Sequence, residues 1–105
     1  MPDFGNPFAG LTIDTKVTKG ELVRAIRFMV AAEYEAVQLY TQLAEATDDV
    51  LARTVLDDIA DEELVHAGEF LRLLRELAPG EEDFYRKGAA EVEEMIEGLK
   101  KKKKK

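Results

Sequence analysis

Glu33, Glu63 and His66 are the residues of this chain whose types and spacing fit metal chemistry. Each stands where a long amphipathic pattern calls for an apolar side chain. Glu63-Leu64-Val65-His66 is a Glu-x-x-His pair, and three residues is close to one helical turn, so both side chains share a face. A carboxylate set in an apolar stripe is costly unless it is paired, protonated or bound to a cation. Two carboxylates at one level also repel, which raises the pKa of at least one. A divalent cation removes both penalties, and oxygen with neutral imidazole suits iron, manganese or zinc alike. The chain has no cysteine, so a thiolate site and a disulfide are both excluded.

The elements that must position these residues are helices. Thr18 and Glu21 have capping-box spacing, and the first helix is expected from Thr18 to about Ala46. Its stripe reads Leu22, Ile26, Met29, Glu33, Val37, Tyr40 and Leu43, in steps of three and four. Thr47-Asp48-Asp49 is the break, with Asp48 or Thr47 expected to cap the next helix. The second helix is expected from about Val50 to Ala78, with a stripe of Leu56, Ile59, Glu63, His66, Phe70, Leu73 and Leu77. Pro79-Gly80 ends it. A shorter third segment, from about Glu81 to Leu99, carries Phe84, Tyr85, Val92, Met95, Ile96 and Leu99, with Gly88 as a point where it splits or kinks.

The short break makes the first two helices antiparallel neighbours. Glu33 lies 15 residues before Asp48 and Glu63 lies 15 after it. Both carboxylates therefore fall at one height, roughly 22 Å from the turn at 1.5 Å per residue. His66 follows about one turn further along the same face. The expected architecture is all-α: an antiparallel two-helix hairpin plus a shorter C-terminal helix.

Length and composition bound the rest. A chain of 105 residues allows one small domain with a limited core, so association between copies is expected. Residues 18–99 form the helical domain, residues 1–17 with Pro2, Gly5, Pro7 and Gly10 read as an extended arm, and 100–105 are a lysine tail. Of 15 Lys and Arg, six are those lysines; set against 22 Asp and Glu, residues 1–99 carry a net charge of −13. Such a body repels nucleic acid and concentrates cations, although an acidic face also serves solubility alone. No segment is apolar for long enough to span a membrane, and Met1 to Phe8 lack the features of a secretory signal, so the expected setting is cytosolic.

The ligand count then constrains assembly. A di-iron carboxylate bundle draws one Glu from each of two helices and Glu-x-x-His from each of two others. This chain has a single histidine and supplies half of that set. Two copies about a two-fold axis would supply all of it and would rebuild a four-helix core from two hairpins. Other arrangements satisfy the same residues: His66 as a partly buried core histidine bonded to Glu62 or Glu69, and Glu33 at a stripe edge paired with Arg27 or with a neighbouring chain. Tyr40 shares the Glu33 face, either as a hydrogen-bond donor to a ligand or as a core aromatic. Tyr34 and Glu35 lie off the stripe centre.

The segments Glu33-Tyr34-Glu35-Ala36-Val37-Gln38-Leu39-Tyr40 and Asp61-Glu62-Glu63-Leu64-Val65-His66-Ala67 resemble the encapsulated ferritins, short ferritin-like proteins housed in encapsulin shells. The resemblance covers about residues 18–80. It implies a ferroxidase that oxidises Fe(II), with oxygen as acceptor, at a di-iron centre of Glu33, Glu63 and His66 shared between two subunits. Zn, Mn or Ca would be substitutes for the iron. It also implies a tyrosine beside the centre at Tyr40 and an outer cation site at Glu35. The second glutamate of that outer site falls on Ala32, and a family tryptophan position is Leu39. The partners implied are a homodimer, a ring of five dimers and the encapsulin shell protein, inside a nanocompartment in the cytoplasm. No shell-targeting peptide is visible after Leu99. Two other functions fit the residues alone: another di-metal oxidase or peroxide-reducing protein, and a non-enzymatic helical dimer with structural metal.

Overall fold

The computed structural model describes residues 16–103, which form three α-helices: α1 Lys19–Ala46, α2 Val50–Leu77 and α3 Pro79–Lys103. No helix among them is long and apolar enough to cross a membrane. The expected arm falls mostly on residues 1–15, outside the described residues.

Each boundary has a local cause. Thr18 caps α1 reciprocally: its hydroxyl accepts from the Glu21 N–H at 3.1 Å, and Glu21 accepts from the Thr18 N–H at 2.7 Å. Those bonds hold the Glu21 carboxyl below its ordinary pKa. Asp49, rather than Asp48 or Thr47, caps α2, accepting from the Ala52 N–H at 2.8 Å. Thr47 is occupied with the turn itself: its hydroxyl accepts from the Asp49 N–H, and its carbonyl accepts from Arg53. Pro79 opens α3, because the missing N–H and fixed φ of proline suit a first helical position. Gly88 does not split α3, which runs unbroken into the lysines. One glycine costs a helix interior only about 1 kcal/mol.

α1 and α2 pack along their length as the hairpin. The seam uses small or β-branched side chains, with one leucine: Val23, Ile26, Val30 and Ala44 from α1, with Ala60, Ala67 and Leu74 from α2. Val23, Ile26 and Leu74 form the core cluster, flanked by Leu22, Phe70 and Leu77. Leu74→Ala is therefore expected to cost about 2–5 kcal/mol, read as a lower urea midpoint with circular dichroism. An unchanged midpoint would mean that this cluster does not hold the hairpin.

The buried stripe is displaced by one residue from the expected one at several points. Ala44 rather than Leu43, Leu74 rather than Leu73, and Val23 rather than Leu22 are the buried members. Leu43 and Leu73 remain 56% and 42% exposed on the flank of the seam. α3 buries none of its residues, and the Cα radius of gyration is 18.9 Å, against about 13 Å for a compact chain of this length. The chain has more apolar surface than its own helices cover.

Candidate metal centre

Glu33 of α1 and Glu63 of α2 face each other across the seam, and His66, one turn along α2, closes the group. One ligand atom from each residue lies within 4.8 Å of the others. His66 Nδ1 is 3.7 Å from Glu33 Oε2 and 3.6 Å from Glu63 Oε2, both too long for a hydrogen bond. At a metal–ligand bond of about 2.1 Å, two donors so spaced subtend roughly 120° at an ion, so His66 can share a cation with either carboxylate.

Burial sharpens this. Both carboxylate side chains are 18% exposed, whereas His66 is 48% exposed. The Oε2 atom of Glu33 is buried and has no hydrogen-bond partner. The carboxyl of Glu63, placed to share a proton with it, holds the Glu33 pKa above its ordinary value. Burial and the Glu63 charge add to that, and His66 partly offsets it. An orphaned buried oxygen and two crowded carboxylates are what a divalent cation relieves, and this donor set fits iron.

This raised carboxyl gives a prediction with a definite sign. Between the ordinary 4.5 and the raised value, the folded chain binds a proton that the unfolded chain has released. The stability owed to Glu33 is complete below 4.5 and is lost as pH rises through the raised value. Metal-free Glu33→Gln should therefore be more stable than the parent at neutral pH, and the gap should close in acid. Denaturant melts of both proteins across pH check it; a gap independent of pH would contradict it.

The structure brings Glu33, Glu63 and His66 together and leaves the other candidates apart. Glu35, two residues beyond Glu33, is turned to another side of α1, where its own Oε2 is buried without a partner. Tyr40 is half-buried, and no hydrogen bond joins it to the cluster among the described residues. Arg27 does not serve Glu33; it pairs with Glu81 at the start of α3. Glu81, held below its ordinary pKa by Arg27, also accepts from the Tyr85 hydroxyl. Beside the cluster, Glu33, His66, Glu69 and Phe70 line a shallow cavity of about 200 Å³. Sequence reasoning named Glu69 only as an alternative partner of His66; its spacing of three residues from His66 is the signal for its place here.

The exposed side of the cluster is flanked by apolar side chains. Val55 and Leu73 lie 11 and 7 residues from His66 along α2, close to whole numbers of turns and so on the same side of the helix, and both are at least 42% exposed. His66 thus faces a surface of the kind a second helical layer covers.

Comparison with known proteins matches residues 22–104 to the family described as Rubrerythrin. The chain is 39% identical over 82 residues to a ferritin-like–encapsulin shell fusion protein of Pyrococcus furiosus, a match covering 78% of this chain and 24% of that protein. It is 38% identical over 91 residues to the encapsulin nanocompartment cargo protein EncC of Myxococcus xanthus, covering 87% of this chain and 68% of the relative. Among solved structures, the encapsulated ferritin domain from Pyrococcus furiosus superposes with a TM-score of 0.77 at 37% identity, covering 82% of this chain and 88% of that one.

Proposed function

This chain belongs to the rubrerythrin family, and from that membership we propose that it is a ferroxidase whose di-iron site forms only when two copies meet. The observation that carries the reading is the cluster itself: two carboxylates and the chain's one imidazole, with an orphaned Glu33 oxygen, and an imidazole that the described residues leave 48% exposed.

Fe(II) is the substrate. Glu63 and His66 of each chain would hold one ion, and Glu33 of both chains would bridge the pair. Two Fe(II) give one electron each to dioxygen, which leaves with two protons as hydrogen peroxide. The chain's own residues set how many ligands each ion has and how near the two ions lie. Glu33, held above its ordinary pKa, releases its proton as the cation arrives, so affinity rises with pH. The acidic body draws Fe(II) toward the face.

A dimer of this size encloses little volume for mineral. We place storage in a surrounding encapsulin shell in the cytoplasm, because the relatives are named as an encapsulin cargo protein and a shell fusion. The chain spans 24% of the length of that fusion protein. A ring of dimers is the assembly we expect within it.

The test is anaerobic loading with Fe(II) followed by oxygen, with ferric absorbance recorded against time. Formation of Fe(III) much faster than in protein-free buffer supports the reading. A rate equal to buffer would leave a helical dimer with structural metal.

A further inference from the structure

One stretch of α1 is covered on more sides than the described helices account for. Phe28 stands two residues from both Ile26 and Val30, and Glu35 two residues from both Glu33 and Val37. At 3.6 residues per turn, each is therefore turned roughly 160° away from the seam. α2 packs on the seam side, and α3 packs on α2. Yet Phe28, Ala31, Ala32 and Glu35 are all half-buried, and the Oε2 atom of Glu35 is closed to water. The matching outer face of α2 behaves differently. Asp58, Asp61, Val65, Gly68 and Arg72 are all exposed there, Val65 by 63%.

We infer that residues 1–15 pack as an extended strap along this outer face of their own α1, with Phe4, Phe8, Leu11 and Ile13 as the contacts. The reach suffices. Glu35 lies 17 residues beyond Thr18, about 26 Å along the helix at 1.5 Å per residue. An extended segment of 15 residues spans up to about 50 Å. Pro2 and Pro7 favour extended backbone over helix in that segment. Turned back at Lys16 and Val17, the strap passes Leu11 and Ile13 over Phe28 and Ala31, and Phe8 over Glu35.

Composition selects this occupant. Within residues 1–15 only Asp3 and Asp14 carry charged side chains, whereas 35% of the whole chain is charged. Phe4, Phe8, Leu11 and Ile13 gain by leaving water, and the alanines at 31 and 32 let a backbone come close to α1. A second copy would instead set a body of net charge −13 over residues 1–99 against Glu35, and like charges repel. The covalent link adds to the preference, because a short tether holds a segment near its site at an effective concentration of about a millimolar. The strap so placed stands between solvent and the Glu35 carboxylate.

Because the chain has no cysteine, single-cysteine variants of the metal-free full chain test this without the ferroxidase reading. Ala31→Cys places a thiol under the strap, and Val65→Cys places one on the open outer face of α2. Each is alkylated with iodoacetamide, first with the strap intact and then with Phe4, Phe8, Leu11 and Ile13 all changed to serine. Circular dichroism verifies the helices in every variant. A strap docked roughly nine-tenths of the time slows alkylation about tenfold, so the serine changes should speed Ala31→Cys by about that factor. Val65→Cys should keep its rate, and the slow rate of Ala31→Cys should not change on dilution. An Ala31→Cys rate indifferent to the serine changes would overturn the proposal. Protection that is lost on dilution would also overturn it, in favour of cover by another copy. An equal rise at Val65→Cys would overturn it as well, because the serines would then have loosened the whole hairpin.

Discussion

His66→Ala is expected to lower the initial rate of Fe(III) formation roughly 100-fold or more. Loss of a residue that merely orients a ligand costs a metal site about 10- to 100-fold, and loss of the ligand itself costs at least the upper end of that range. The effect is amplified by composition. His66 is the single histidine of the chain, so the variant dimer loses both imidazoles at once. It is also 48% exposed, and alanine at that position leaves the Val23–Ile26–Leu74 core untouched. The variant should therefore melt close to the parent while losing activity. Stopped-flow ferric absorbance with a parallel denaturant melt checks both halves; parental rates in a folded variant would remove His66 from the site.

The second large effect is on concentration. If two chains build one site, the rate per chain falls with dilution once the dimer is the minor species. In that range halving the chain concentration should cut the total rate about fourfold, because the dimer population follows the square of the monomer. A site complete in one chain would give a strict twofold fall. Fe(II) binds the dimer and not the monomer in this account, so excess metal should push the transition to lower chain concentration, and a chelator should reverse it.

The contrast between what the sequence reveals and what it hides follows from helix geometry. Helix limits follow from local chemistry, with Thr18 and Glu21 fixing one end of α1 and Pro79 separating α2 from α3. The common height of Glu33 and Glu63 follows from equal spacing about a tight turn, and the structure sets their ligand atoms together. Which side of each helix faces its neighbour was less legible. The apolar sector of α1 is wider than one partner helix covers, so periodicity reports only its average direction. Packing then selects Ala44, Ala60, Ala67 and Val30 for the close seam and leaves Leu43 and Leu73 on its flank. The same rotation leaves His66 open, although it shares the Glu63 face. Asp49 took the cap because its side chain reaches the Ala52 N–H while Thr47 braces the turn, a choice among three adjacent capping residues that spacing alone does not make.

The central claim is that one chain holds half a site, and native mass spectrometry of the protein titrated anaerobically with Fe(II) tests it most directly. The account predicts that monomer carries no tightly held iron, that dimer appears as iron is added, and that it saturates at two ions per dimer. Monomer that binds iron stoichiometrically, with no shift toward dimer, would contradict it.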